Sequence, residues 1–486
     1  MKDIPVLLIG VGPNAKRAYL PALSHLQKEG AARLVATVEL VSQQHITEER
    51  LKKAGFALDD IEQLYVEDDL VEYRLSAETR KKMETLLEEQ QISAVIISTD
   101  PLAHKAYALW ALEHNLPILM DKPISTQRGA THDPVIAKGI YQDYVELAEA
   151  YSNSTAPLFS INVQRRHHPG FQLVFDKVAE IAERFAMPIT AIQSTHADGQ
   201  WRLPEEVIDL DYHGYNRGVG KVSHSGYHFI DIIAKLIKLS YKNADTTRKP
   251  DSLGVFSSFV EPRGMLTLNP QENYHNLFGP DYAKVSQKTT EELREAYQGY
   301  GEVDASSILQ LLKNDEIVAN ITLNLIHNSF SRRSWLTPNA DLYKGNGRVK
   351  HEYHSIQQGP LQNIQIHSYQ KNDKHDKSTK ADLEVGGNNH FDILIFRNNA
   401  ITGDKEPFQK ITMADFNKEA YGTRYVHDAI KHEVVEEFID AIRFNKKPAM
   451  LTSPFEDQEL AALLMSMIYQ SGASRKRVER SISSLI

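Results

Sequence analysis

Apolar residues fall in short runs along the first third of the chain, each followed by a stretch with helical spacing. Residues 6–9, 94–98 and 117–120 read as strands, the second a continuous apolar run of the kind found in strands buried on both faces. Residues 34–38 and 158–163 also have strand character. After 94–98, Pro101 opens a helix whose apolar positions are Ala108, Trp110, Ala111 and Leu112, and the region of Asn115 closes it. A strand, a helix and a strand of these lengths form a right-handed crossover, so both strands point the same way. Loops at the carboxyl edge of such a parallel sheet form a ligand crevice. Thr99, Asp100 and His104 belong to the first of these loops and Asp121-Lys122-Pro123 to the second.

Further along, residues 43–91 are charged and helical in pattern, with a short strand near 64–66, and the charge marks a solvated helix face. Residues 126–134 read as a loop and 141–151 as a helix, and a domain boundary is expected near Ala156. The division is 1–156 and 157–486, the first α/β and the second a mixture of strands and helices. The second part holds Gln164 in the segment QRRHHP, strands at 190–195, 318–326 and 393–396, and Trp201-Arg202 in a loop. It also holds an amphipathic helix over 226–239 and closing helices over 434–442 and 458–470. Residues 243–300 and 340–385 are rich in Asn, Asp, Lys, Gln and Gly and read as long surface insertions, with His351, His354 and His367 solvated in the second region.

Composition narrows the class. The chain has 486 residues, 41% hydrophobic and 24% charged, which is ordinary for a globular protein of two or three domains. A net charge of -9 without a sustained basic run argues against nucleic acid or an anionic membrane as partner. No apolar stretch reaches the roughly 18 residues of a membrane span, and MKDIPVLLIGVG enters a strand without a cleavage signal, so a cytoplasmic protein is expected. With no cysteine there is no disulfide, thiol nucleophile or thiolate metal site.

Chemistry enters first at Gly10-Val11-Gly12-Pro13-Asn14-Ala15, a GxGxxA turn between the first strand and a helix containing Ala18, Leu20 and Leu23. The first glycine permits a tight turn, the second lets the backbone approach a pyrophosphate, and the helix start supplies amide donors. By itself such a turn also joins many unrelated strands and helices. Here the next strand ends in Glu39, whose carboxylate can accept the ribose hydroxyls of an adenosine and repel a 2′-phosphate. No arginine follows Glu39 directly, so NAD is expected over NADP.

The chain resembles the Gfo/Idh/MocA oxidoreductases. The resemblance rests on GVGPNA, Glu39, AVIISTDPLAHKAYALWAL, Asp121-Lys122-Pro123, QRRHHP, Trp201-Arg202, GKVSHSGYHFID, EFIDAIR and LLMSMIYQS, scattered over most of the length. It implies an N-terminal Rossmann domain and a C-terminal α+β domain with a large, mostly antiparallel open sheet that mediates oligomerisation, as dimer or tetramer. The implied activity is on a sugar, polyol or related hydroxy compound.

It also implies site residues. The family's Glu-Lys-Pro stands here as Asp121-Lys122-Pro123, and its Asp-x-Gly-x-His-x-x-Asp as His224 to Asp231 with Gly226 and His228 kept. In such enzymes the lysine hydrogen-bonds the reacting hydroxyl and the histidine takes its proton while hydride moves to nicotinamide C4. An ammonium suits a developing alkoxide and an imidazole titrates near neutrality. Catalytic roles are thus expected for Lys122 and His228, with His224 beside them in place of a carboxylate. Cofactor contacts are expected from Gly10, Gly12, Asn14, Ala15, Glu39, Thr99, Asp100, His104, Asp121, Lys122, Gln164, Trp201 and Arg202.

Other readings stay open. His224 and His228, four apart, would also suit two metal ligands, but the HExxH glutamate is missing, so no metal is expected. Trp201 fits either a hydrophobic core or a platform at a nicotinamide or sugar. A dinucleotide-binding regulator without turnover and an NAD-dependent glycoside hydrolase share the same resemblance; retention of Lys122 and His228 argues against the first.

Overall fold

The structure is a computed structural model and describes residues 3–67, 74–209, 214–333, 336, 347–372, 383–387, 389–416 and 426–486, with side chains from residue 430 onward in the last stretch. It divides into two compact units. The first is Met1–Thr126, Ile140–His168 and Tyr421–Ala462; the second is Gln127–Gly139, Pro169–Ala420 and Leu463–Ile486.

The first unit is a six-stranded parallel sheet of β1 (Ile4–Ile9), β2 (Ala32–Leu40), β3 (Glu62–Val66), β4 (Ala94–Ile97), β5 (Ile118–Asp121) and β6 (Phe159–Asn162), in the order β3-β2-β1-β4-β5-β6. Helices α1 (Pro13–Arg17), α2 (Tyr19–Lys28), α3 (Gln44–Lys53), α4 (Ala77–Glu89) and α5 (Pro101–Glu113) connect the strands, and α6 (Pro134–Asn153) has most of its length here. Local chemistry sets their limits. Asp100 caps α5 by accepting from Leu102 N at 3.0 Å with Pro101 in the first turn, and Asn115, at φ 56°, ends the connection. Ser76 caps α4 through Thr79 N at 3.0 Å.

The core of this unit joins Val6, Leu8, Tyr19, Leu23, Leu34, Ile96 and Leu119 to Val435, Phe438 and Ile439 of the helix Val426–Arg443. Burying each such side chain stabilises the fold by about 1.5–3 kcal/mol. Two features correct the boundary expected at Ala156. β6 pairs in parallel with β5, and its outer side is covered by Ser453, whose carbonyl accepts from Ile161 N at 3.0 Å, and by Phe455, which stacks on Phe159 at 4.3 Å. The Rossmann sheet therefore runs past residue 156 and recruits a segment from far down the chain.

The second unit is a nine-stranded sheet, β14-β13-β12-β11-β7-β10-β9-β8-β15. Its strands are β7 (Ala191–Gln200), β8 (Ser252–Val260), β9 (Asp304–Lys313), β10 (Glu316–Asn328), β11 (Arg348–Gln358), β12 (Gln362–Asn372), β13 (Asp392–Arg397), β14 (Phe408–Ile411) and β15 (Val478–Ser481). β7 and β10 pair in parallel and every other neighbour is antiparallel. Helices α7 (Pro169–Phe185), α8 (Pro204–Asp209) and α9 (Tyr227–Tyr241) belong to this unit, and α9 packs on β7 through Phe229, which stacks on His196 at 4.4 Å.

Neither expected insertion is a plain surface excursion. Of residues 340–385, β11 and β12 account for most of the described part, and residues 340–346 and 373–382 lie outside the described residues. The alternation there is carried by polar side chains turned inward, among them Glu352, His354, Gln358 and Gln362, all at most 3% exposed. His354 is thus buried between Phe171 and Phe229 instead of solvated, while His351 and His367 are half-buried. Residues 243–300 contain β8 and helices α10 (Pro262–Leu268), α11 (Gln271–Phe278) and α12 (Thr290–Ala296). These close over two small cores, one with Leu266, Leu293 and Tyr297 and one with Leu203, Tyr274 and Tyr282. No helix among the described residues is long and apolar enough to cross a membrane.

Candidate active site

In the first unit the strand order reverses between β1 and β4, where a parallel sheet opens its crevice. Gly10 follows β1, Glu39 lies near the end of β2, Thr99 follows β4, Lys122 follows β5 and Gln164 follows β6, so one sheet edge collects all of them. Gly10 has φ 86°, and a Cβ there would stand 2.4 Å from the Ser98 carbonyl oxygen, so only glycine fits. Gly12 begins α1 with no atom within 4 Å of where a Cβ would be, which leaves the room a pyrophosphate needs. Ala15 is fully buried beneath the turn.

Glu39 accepts from Val11 N at 2.6 Å through Oε2 and from Leu40 N at 2.8 Å through Oε1. Each oxygen keeps acceptor capacity for a ribose hydroxyl. Arg50 of α3 donates to the Val11 carbonyl at 2.7 Å.

The Asp121 carboxylate is a hub. It accepts from Asn14 Nδ2 at 3.0 and 2.9 Å, Ser98 Oγ at 2.8 Å, Asn162 Nδ2 at 3.1 Å and the Tyr19 hydroxyl. Burial, with Asp121 next, pushes the Tyr19 phenol far up, so it stays a donor. Asp121 and Asn14, both expected at the cofactor, thus bind each other and hold the turn that carries Lys122. His104 is likewise a brace: it is fully buried, with Nδ1 2.8 Å from the Pro123 carbonyl and Nε2 3.2 Å from that of Thr99. Burial lowers its pKa, favouring the neutral ring, and the shorter contact marks Nδ1 as the donor. Its Nδ1–H is spent on the carbonyl of Pro123 in the second crevice loop, and the ring packs beside the carbonyl of Thr99 in the first. Lys122 itself is half-buried.

In the second unit, Trp201-Arg202 leaves β7 at the end where β10, its parallel partner, also finishes, and Arg202 N donates to Asn328 Oδ1 at 3.2 Å. Arg202 is buried. Trp201 is half-buried, its ring centroid 5.2 Å from Phe278 and 6.2 Å from Tyr274, so it joins an aromatic cluster built by the 243–300 region.

His224 and His228 sit on helical backbone, but the helix does not begin at Gly226. A π-turn over Val222–Gly226 precedes α9, closed by Gly226 N donating to the Lys221 carbonyl at 2.9 Å. A Cβ at 226 would lie 2.7 Å from that same oxygen, which is why glycine stands there. His224 is therefore inside the turn, and both histidines are half-buried.

Residues not singled out from the sequence hold this turn. Glu302 accepts from Val222 N at 2.8 Å and from Thr131 at 2.6 Å, and Tyr469 donates to it at 2.8 Å. The Tyr469 hydroxyl in turn accepts from Ser223 N at 3.2 Å. The wholly buried Lys221 donates to Asp198 at 2.6 Å and Ser225 at 2.8 Å, with His196 Nδ1 at 2.9 Å, and His327 Nδ1 lies 3.0 Å from Asp198. Burial opposes the Asp198 charge, but Lys221 and its neighbours hold the carboxyl well below its usual range. Burial pushes His327 down to about 4, and burial with the Lys221 charge holds His196 well below the usual histidine range, so both are neutral. Among the described residues no group of three or more His, Cys, Asp or Glu side chains could hold a metal ion.

Residues 4–135 match the Gfo/Idh/MocA family, an oxidoreductase family with an NAD-binding Rossmann fold. Solved structures with the same fold extend the likeness across the second unit. An oxidoreductase from Agrobacterium radiobacter in complex with NAD+, L-tartaric acid and magnesium is 14% identical with a TM-score of 0.53, covering 100% of both chains. Levoglucosan dehydrogenase with NADH and levoglucosan is 13% identical at 0.58, over 98% of this chain and 99% of that one. Aldose-aldose oxidoreductase from Caulobacter crescentus with glycerol is 11% identical at 0.55, over 99% and 100%. No curated protein matches the sequence. Against the Gfo/Idh/MocA pattern, aspartate at 121 still performs a binding task, because Asn14, Ser98, Tyr19 and Asn162 come to it.

Proposed function

We propose that the protein is an NAD-dependent dehydrogenase or reductase of a sugar, polyol or related hydroxy compound. The observation that carries this is Lys122, half-buried at the crevice edge of the NAD-binding sheet on a turn that Asp121 and His104 fix from both sides. Bound NAD supplies the hydride acceptor. Gly10 and Gly12 give its pyrophosphate room, and the remaining acceptor capacity of Glu39 suits the adenosine ribose. Lys122 donates to the reacting oxygen and stabilises its developing charge; His228 accepts its proton. His224, a neutral polar contact in this reading, suits a substrate that carries its own negative charge or has fewer hydroxyls to anchor.

The protein acts as a homo-oligomer through the open sheet of the second unit. In support, Phe256 and Ile308 are 48% and 44% exposed there, beside a shallow cavity of about 500 Å³ lined with Gln193, Thr195, Thr322 and Tyr353. NADH formation at 340 nm across a panel of sugars, polyols and sugar acids tests the activity, and light scattering tests the assembly. Turnover of none of these compounds in either direction overturns the activity reading.

A further inference from the structure

The acidic residue at the end of the second strand of a Rossmann sheet ordinarily decides the cofactor alone: a carboxylate takes the ribose hydroxyls of NAD, and an arginine nearby admits the phosphate of NADP. Here both groups converge on one residue. Glu39 Oε2 accepts from Val11 N at 2.6 Å, and Arg50 Nη1 donates to Val11 O at 2.7 Å, with Val11 lying between the two glycines of the turn. The arginine arrives not from the residue after Glu39 but from α3, one helix further on.

Their hydrogen-bond capacities differ. Glu39 has given one acceptor site on each oxygen to the Val11 and Leu40 amides. Arg50 has spent one of its five guanidinium N–H groups on Val11, and among the described residues the guanidinium makes no other hydrogen bond. It is half-buried, so its remaining donors are not sealed inside the fold. Its acidic neighbours are Glu39 and Glu49, and Glu49 is already paired with Lys53. The field at the ribose end of the crevice is therefore that of a carboxylate and a guanidinium together.

We infer that Arg50 is a specificity-determining residue of the dinucleotide site, offering its planar donors to a 2′-phosphate and narrowing the discrimination against NADP that Glu39 imposes. Charge-assisted bonds between a guanidinium and a phosphate are strong and suit this geometry. The inference rests on the dinucleotide reading of the first unit and needs no turnover. The other role open to Arg50 is to brace the Val11 carbonyl, and that role would weaken NAD and NADP alike.

Calorimetric titration of the full chain with NAD+ and with NADP+ separates these for wild type, Arg50→Met and Arg50→Lys. In Arg50→Met the ratio of Kd for NADP to Kd for NAD should rise by roughly ten- to a hundredfold, the range for losing hydrogen bonds to a charged group, with NAD nearly unchanged. Arg50→Lys keeps the charge without the fork and should fall between. An unchanged ratio in both variants, whether or not the two affinities fall together, overturns the proposal. A wild type that binds neither dinucleotide overturns the underlying reading of the glycine turn, and is recognised before any variant is made.

Discussion

Lys221 Nζ lies 2.6 Å from Asp198 Oδ2 in the interior of the second unit, the lysine side chain 0% and the aspartate 7% exposed. Lys221 stands directly before the π-turn that carries His224, and its link to Ser225 makes the pair a brace for that turn. Removing one member of a buried pair leaves an uncompensated charge, whereas removing both leaves a polar site without one. Lys221→Met should therefore cost about 3–5 kcal/mol, and adding Asp198→Asn should recover a large part of it. Urea unfolding of the two single variants and the double variant measures this; strictly additive losses would show that the two charges are not coupled.

Acid should loosen the same unit. His327 is held down to about 4 by burial, below the ordinary histidine value of about 6.5, so its neutral form is favoured in the fold. As pH falls from about 6.5 to 4 the unfolded chain binds a proton that the folded protein refuses, and stability is lost across that window. The loss assigned to His327 between pH 7 and pH 5 is about 2 kcal/mol. His327→Asn, which removes the titration, should show a drop smaller by that amount in urea unfolding at the two pH values. An unchanged pH dependence contradicts a neutral His327.

Glu39 should decide the cofactor in the first instance. Glu39→Ala combined with Leu40→Arg removes the acceptor and supplies a second guanidinium, so preference should move toward NADP. Titration with both dinucleotides reads the change directly, and a wild type that already prefers NADP would falsify the role given to Glu39.

The departure at His224 concerns substrate class. Restoring a carboxylate by His224→Asp supplies an acceptor for hydroxyl groups that also suits a charged lysine. Activity on neutral polyols should rise relative to activity on sugar acids. A fall on both classes by the same factor would indicate that the histidine serves the turn and not the substrate.

How much of this was readable beforehand varies with the physics. Strands 94–97 and 118–121, the helix opened by Pro101 and the glycine turn were legible because continuous apolar runs, Pro101 and a required positive φ at Gly10 are local signals, whereas the capping role of Asp100 was not read from them. β11 and β12 were not, because their inward positions are filled by Glu352, His354, Gln358 and Gln362, whose burial depends on distant partners such as the Val178 carbonyl, which accepts from Gln358 at 3.0 Å. The helices of 243–300 were hidden in the same way, since Tyr274, Tyr282 and Tyr297 form cores only once folded. Gly10, Glu39 and Lys122 were legible as crevice residues from their place after strands. The bracing duties of His104 and Asp121, and the whole Lys221 network, depend on contacts across long stretches of chain that no spacing reveals.

The most direct measurement is turnover by Lys122→Met beside its affinity for NAD. If Lys122 stabilises the reacting oxygen, kcat should fall by about two to four decades, the range for one preorganised electrostatic or acid-base group, while the Kd for NAD stays near that of wild type. Activity within threefold of wild type, or a loss of NAD binding that accounts for the whole fall, would contradict the account.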